Sequence, residues 1–310
     1  MKILVTGGAG FIASHVVDKY IELGHEVVVV DDLSSGYLEN INPKAKFYLL
    51  DICSKELQTI FEIERPEIVN HHAAQISVPV SVREPFMDLD INAKGFLNIL
   101  ENCVKYGVQK VIFISSGGAV YGEADEYPTA ETYSPKPLSP YAIHKYVSEA
   151  YLYYYYHAFG INYTTLRYAN VFGPRQVSHG EAGVVSIFIE KYLNDETPYL
   201  FAYKEGPDGM IRDYVYVKDV VRANVLALDK ANLEAINIGT GQETTTGQLL
   251  REIAAQMNKE FKPIKGEPRP GDIRRSCLVI DKAKKVLGWT PEYSLKDSVR
   301  ETIEYFEKLK

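Results

Sequence analysis

The stretch KILVTGGAGFIASHVVDKYIELGHEVVVVD, residues 2–31, decides how the rest of the chain is read. KILVT (2–6) is a short apolar run of the kind that forms a strand buried on both faces. FIASHVVDKYIEL (11–23) places Ile12, Val16 and Tyr20 on one side of a helix, and Gly24 is a plausible stop. EVVVVD (26–31) is the next buried strand. Between the first strand and the helix lies TGGAGFIA (6–13). Gly7 and Gly10 let the backbone turn tightly, so that the helix N-terminus faces a pyrophosphate, and Ala13 keeps helix and strand close. Asp31 stands 21 residues beyond Gly10, at the end of the second strand. A carboxylate there accepts ribose hydroxyls and repels a 2′-phosphate, so the unit predicts a dinucleotide site for NAD rather than NADP.

The same rhythm continues outward. KFYLL (46–50), EIVNHHA (67–73), KVIFIS (110–115), YTTLR (163–167) and AINIGTG (235–241) read as further strands, with helical patterns between them, notably 88–106 and 141–159. Buried strands alternating with helices predict an α/β fold, a Rossmann-type doubly wound parallel sheet. After about residue 173 the pattern changes, with Pro174, Pro198, Pro207 and PRPGD (268–272), and a smaller lobe is expected. The division expected is 1–172 with 218–241 for the dinucleotide domain, and 173–217 with 242–310 for a substrate lobe. No internal repeat is seen. YLYYYY (151–156) puts tyrosines on all sides of its helix, which suits either packing with a solvated edge or contact with a partner subunit.

Composition narrows the class of function. The chain has 310 residues, 46% hydrophobic, with 41 acidic against 34 basic side chains and a formal charge of −7. That balance, without a basic run, argues against nucleic acid as a partner and for a small anionic ligand held locally. Cys53, Cys103 and Cys277 form no CxxC pair, so reduced thiols are expected, with no metal site. No run approaches the ~20 apolar residues of a membrane span, and no signal segment is seen, so the expected location is cytoplasmic.

Tyr141 and Lys145 in SPYAIHKY lie one helical turn apart. A phenol of pKa ~10 acts as a base at neutral pH only if depressed by roughly three units, about 4 kcal/mol. A nearby ammonium, with a positive nicotinamide, is the kind of charge that does this. Ser115 and Ser116 end the fifth strand, where a hydroxyl faces the ligand crevice of such a sheet and shares a proton with Tyr141. Asp51 and Ile52 end the third strand, beside an adenine or simply capping a helix. Ala73, Ala74 and Gln75 follow the fourth, near the nicotinamide half or in tight packing.

With these residues in place the chain resembles the extended short-chain dehydrogenase/reductases, in their sugar-nucleotide epimerase/dehydratase branch. The motifs are TGGAGFIAS, DDLSSG, HHAAQISV, SSGGAVYG, SPYAIHK, LRYANVFGPRQ, RDYVYVKDVV, NIGTG and RPGDIRRS, spread over nearly the whole chain. The resemblance implies 4-epimerisation of a UDP-hexose through a 4-keto sugar, with Tyr141 as base, Lys145 tuning it and Ser116 assisting. It adds Phe11, Ile12, Asp32, Ser35, Gly36 and Asn92 to the cofactor contacts. It assigns Asn170, Arg212, Arg269 and Asp272 to the nucleotide diphosphate, a role suited to arginine forks and acids. It also implies a homodimer through helices 88–106 and 141–159.

Two departures stand out. An ungapped match puts Gly117 where relatives carry a hydroxyl, and a shift of one restores Ser116. FAYKEGPDGMIRD (201–213) is longer than the usual loop before the Arg-Asp pair, which bears on the base pocket. Uronic-acid and N-acetylhexosamine nucleotides are alternatives; Ser276 resembles the position where family members carry either a bulky ring or a small residue, and a small one implies room for an N-acetyl group. A dehydratase needs carboxylates after the strand-five hydroxyl, where this chain has Gly117, Gly118 and Ala119. A non-catalytic NAD-sensing regulator is disfavoured by the retained Tyr141 and Lys145.

Overall fold

The computed structural model describes residues 1–177, 183–268 and 273–310. Seven strands make one sheet: β1 (Lys2–Thr6), β2 (Glu26–Asp31), β3 (Lys46–Leu49), β4 (Ile68–His71), β5 (Lys110–Ser116), β6 (Asn162–Tyr168) and β7 (Glu234–Ile238). Their order is β7-β6-β5-β4-β1-β2-β3, and every pair is parallel. The order reverses between β1 and β4, so the crevice for a ligand opens at the carboxyl ends of those strands.

The principal helices are α1 (Phe11–Glu22), α2 (Leu57–Glu64), α3 (Phe96–Tyr106), α4 (Pro140–Phe159), α5 (Val184–Leu193), α6 (Val217–Ala227), α7 (Thr246–Gln256) and α8 (Leu295–Leu309). α3 is led by a helical segment from Pro85 and a π turn over Asp90–Gly95, so the helix begins three residues earlier than its periodicity suggests. α4 starts on Pro140, with the Ser139 side chain accepting the Ala142 N–H as its cap.

Side chains alternate across the strands, and each face of the sheet buries its own core. Ile3, Val5, Val16 and Tyr20 share one core with Val220, Leu278 and Trp289. Leu4, Val28, Phe61, Phe96, Phe113 and Leu152 form the other. Trp289 is fully buried, and its indole N–H donates to the Asp219 carbonyl at 2.9 Å. Each such side chain contributes about 1.5–3 kcal/mol by leaving water. A third core joins α5, α7 and α8 through Phe188, Tyr192, Leu249, Ile253, Val299 and Ile303.

β3 stops one residue short of its apolar run, and β4 and β7 stop earlier still, for local reasons. β4 ends at His71 because the Ala73 N–H turns to the Thr6 hydroxyl at 3.2 Å. β7 ends at Ile238 because the Asp213 carboxylate takes the N–H groups of Thr240 and Gly241, at 2.7 and 3.0 Å.

Candidate active site

At the glycine turn, Gly7 has φ +71°, and a Cβ there would sit 2.7 Å from the Ala73 nitrogen. Only glycine lets the turn after β1 meet the loop after β4 so closely. The Gly10 N–H donates to the Gly7 carbonyl at 3.0 Å, which aims the first turn of α1 at the crevice. Ala9 is held from both sides. Its N–H donates to Asp31 Oδ2 at 2.9 Å, and its carbonyl accepts from Tyr37 N at 3.1 Å and Asn40 Nδ2 at 3.0 Å. A Cβ on Gly36 would lie 2.7 Å from the Ala9 methyl.

Asp31 is buried, and Oδ1 accepts a further bond from Leu33 N at 2.8 Å. Burial pushes its carboxyl above the ordinary range, opposed by those two backbone N–H groups. Each oxygen keeps lone pairs beyond these bonds. Asp32 is exposed and accepts from the Ser34 amide and hydroxyl, and Ser35 is exposed beside it. A glycine cradle that Cβ atoms would fill, a helix N-terminus and an acid at the end of β2 fit an NAD adenosine and pyrophosphate.

Asp51 is exposed and accepts the Cys53 N–H at 2.8 Å, a capping bond, while Ile52 is buried against Gly95. Ile12 packs on the first core and Phe11 on the third, leaving their backbone to the helix terminus. Ala73 and Ala74 are half-buried. Gln75 is tied to Asn92 in both directions: its N–H donates to Asn92 Oδ1 and its carbonyl accepts from Asn92 Nδ2, each at 2.9 Å.

At the end of β5 the two serines part. The Ser115 hydroxyl donates to Glu149 Oε1 at 2.6 Å, turned away from the crevice. Glu149 also takes Arg167 Nε at 3.0 Å, and Arg167 Nη1 donates to the Tyr121 hydroxyl at 2.8 Å. Ser116 instead acts on Tyr141, whose ionisation it pulls down. Of the two serines, Ser116 is therefore the one turned to the tyrosine. Lys145 is buried, and its Nζ donates to the Ile114 carbonyl at 2.9 Å, 5.9 Å from the centre of the Tyr141 ring.

Burial pushes Tyr141 up to about 12, Ser116 pulls it down, and the Asp88 charge adds to the rise. Burial also lowers Lys145 to about 8, against the pull of Asp88 and Glu149. The depression of Tyr141 anticipated from its spacing to Lys145 is thus not supplied by the protein's own groups. Desolvation outweighs an ammonium that is itself engaged by a carbonyl.

Facing Ser116 across the crevice are residues from the second half of the chain. A Cβ on Gly118 would lie 3.5 Å from Asn170 Oδ1 and 3.9 Å from both Ser116 Oγ and Ser276 Oγ. Those three polar groups converge on Gly118, where a side chain is missing. Asn170 is placed by its N–H bond to the Asp213 carbonyl at 2.9 Å. Arg212 is half-buried, with Nη1 on its neighbour's carbonyl, Ile211, at 2.9 Å. Arg269 and Asp272 lie outside the described residues. The 201–213 segment is folded onto α7, where Asp208 binds Arg251 Nη1 at 3.2 Å and its carbonyl takes the Gly247 N–H at 2.9 Å. The Arg274 guanidinium lies 4.2 Å over the ring of Tyr203 in that segment.

A cavity of about 360 Å3 is lined by Tyr37, Glu39, Asn40, Arg175–Val177, α5 and the end of α8. Among the described residues no cluster of His, Cys, Asp or Glu is arranged to hold a metal ion, and no helix is long and apolar enough to cross a membrane. Sequence reasoning missed Asp88, His144 and Glu149. Their turn neighbours include Glu84 and Asn92, Ser148, and Lys145, so no local apolar pattern marked them.

The fold and site define a class: residues 3–239 match the NAD dependent epimerase/dehydratase family, and the chain belongs to it. Its cofactor is NAD. Within that family the chain is 43% identical to a UDP-glucose 4-epimerase of Mycolicibacterium smegmatis, over 99% of this chain and 98% of the relative. Among solved structures it is similar to the UDP-glucose 4-epimerase of Thermotoga maritima with UDP-glucose, at 52% identity and TM-score 0.97, covering 100% of this chain and 99% of that one. A second is the Thermus thermophilus UDP-glucose 4-epimerase complex with NAD, at 44% identity and TM-score 0.94, covering 99% of each chain.

Proposed function

We propose that this enzyme interconverts UDP-galactose and UDP-glucose by inverting carbon four through a 4-keto sugar. The observation that carries the reading is the convergence of Ser116, Tyr141 and Lys145 beside Gly118, next to a dinucleotide cradle. Bound NAD supplies a hydride acceptor that becomes the donor for the return step. The chain's own part is to hold the proton. Tyr141 Oη takes it from the 4-hydroxyl, Ser116 shares it, and the same atom gives it back to the keto oxygen.

Lys145 steadies the tyrosine and is placed to hold the nicotinamide ribose. Gly7, Gly10, Phe11 and Ile12 present backbone to the pyrophosphate. Asp31, with Asp32, Ser35 and Gly36, receives the adenosine ribose, and Asp51, Ile52, Ala73, Ala74, Gln75 and Asn92 line the remainder. Asn170 and Arg212 grip the sugar's diphosphate together with Arg269 and Asp272. Gly117, Gly118 and Ala119 offer no second proton carrier, which favours epimerisation over elimination.

The smaller lobe, 173–217 with 242–310, closes over the nucleotide sugar. α4 leaves Ile143, Tyr146, Val147, Tyr153 and Tyr154 exposed, with Phe86 nearby in sequence to the second helix, which supports a homodimer through these helices. A monomeric mass in solution would count against it. The three cysteines are free, in keeping with a cytoplasmic enzyme. Buried Ser276 beside Gly118 favours, as a second reading, acceptance of an N-acetylhexosamine.

The test is incubation with UDP-galactose and no added nicotinamide, with UDP-glucose quantified. An equilibrium mixture supports epimerisation with retained cofactor. No conversion even with NAD supplied would move the assignment to another sugar nucleotide.

A further inference from the structure

The most unusual group near the site is one the mechanism does not use. Asp88 is fully buried in the helical segment ahead of α3. Its Oδ1 accepts from Gln75 Nε2 at 2.7 Å and Asn92 Nδ2 at 3.0 Å, and its Oδ2 from His144 Nδ1. The donors come from the loop after β4, from Asp88's own helix and from α4. His144 precedes Lys145, and its carbonyl accepts the Ser148 hydroxyl at 2.8 Å. An apolar side chain would serve helix packing better, since burying a carboxylate is strongly unfavoured unless partners repay its hydration.

We propose that Asp88 is a positioning residue: clasped by His144, Gln75 and Asn92, it pins the loop after β4 to α4 and sets the electrostatic field around Tyr141 and Lys145. The inference rests on the proposed acid–base role of that pair.

The charges facing the pair single Asp88 out. Ser116 faces it from β5, and Asp88 from the segment before α3. Glu149 and His144 lie on α4 itself, and His71 and His72 at the end of β4. Glu149 is paired with the Arg167 guanidinium, and its charge acts on Lys145 alone, whereas that of Asp88 acts on both members of the pair. Burial drives His71 and His72 well below the ordinary histidine value, so both are uncharged near neutral pH. Asp88 is met by two neutral amides and an imidazole, so its charge is the one left uncompensated by a guanidinium. It raises the pKa of both Tyr141 and Lys145. It thereby keeps Lys145 an ammonium against its burial, at the expense of a harder deprotonation of Tyr141.

The test is a pH titration of tyrosinate absorbance in NAD-loaded protein, with the Tyr141→Phe version of each variant subtracted. In Asp88→Asn the Tyr141 ionisation is expected to fall by about one pH unit. Both limbs of the kcat–pH profile should move acid together. An ionisation that stays in place or rises would overturn the proposal, because a merely structural residue lowers the height of the profile without moving it. His144→Gln keeps a donor and leaves the Asp88 charge, and it decides the matter if Asp88→Asn does not fold. There the ionisation should hold or rise, and a fall would overturn the assignment of the field to Asp88. The titration needs no turnover, so a wild-type protein inactive on UDP-galactose would refute the proposed function and leave this reading to be judged separately.

Discussion

Gly118→Ala separates catalysis from stability. Gly118 sits in the short helical turn Gly117–Val120 with no backbone obstacle near its would-be Cβ. A glycine replaced by alanine in a compatible conformation stabilises the fold by about 0.4–1 kcal/mol, chiefly by restricting the unfolded chain. For a chain of this size that is a Tm higher by about 1–3 °C. The new methyl would stand 3.5 Å from Asn170 Oδ1 and 3.9 Å from the Ser116 and Ser276 hydroxyls, in the space assigned to the reacting sugar. Displacing the sugar by a fraction of a methyl diameter should cost about 1.4–2.8 kcal/mol, or ~10–100-fold in kcat/KM.

The control is its neighbour. A Cβ on Gly117 would meet Leu278 Cδ1 at 2.6 Å and the Arg167 carbonyl at 3.2 Å. Gly117→Ala should therefore lose about 1–3 kcal/mol of stability by overpacking. Epimerisation kinetics and thermal melts of both proteins decide the matter. Gly118→Ala with wild-type kcat/KM, or with a fall in Tm that tracks its loss of activity, would refute the placement of the sugar.

Ser116→Ala should lower kcat by ~10²-fold or more with little change in Tm, whereas Ser115→Ala, deprived of its bond to Glu149, should lose about 1–2 kcal/mol of stability and less activity. Urea unfolding alongside steady-state rates distinguishes the two. Glu149→Gln strands the Arg167 guanidinium in the interior, and a loss of about 3–5 kcal/mol in denaturant titrations is expected. Burial lowers Lys110 from 10.5 to about 8. A depressed folded-state value means that its contribution to stability is present above pH 10.5 and lost as pH falls through about 8. Wild-type stability measured against Lys110→Met should accordingly rise between pH 8 and 10.5. A difference independent of pH would show that the buried ammonium is not the cause.

The inner strands were legible because parallel strands buried on both faces are written as apolar, β-branched-rich runs, while the half-exposed edge strand β3, KFYL, was read from its apolar run and its place in the rhythm. So was the turn at Gly7, where a positive φ and the close approach of Ala73 leave glycine as the residue that fits. Strand ends were less legible. NIGTG continues the apolar pattern of β7, yet Asp213, 27 and 28 residues before Thr240 and Gly241, captures their amides. The two adjacent serines could not be told apart by pattern, since β5 alternation puts them on opposite faces and only Glu149 and Tyr141 reveal which face is which. Asp88 was read simply as the start of a helix. Its partners, Gln75 and His144, come from 13 residues before and 56 after, and no spacing rule links them.

Trp289 has a consequence for how the protein is made. It closes the core that β1, α1 and α6 share, and it emerges from the ribosome after more than nine-tenths of the chain. Until then the core that α1 and α6 share stays open where Trp289 belongs, in a sheet whose pairings are all non-local. Chains of this design fold slowly and expose sticky surface while they wait. A nascent chain halted before residue 289 should therefore be a client for chaperones rather than a small working domain.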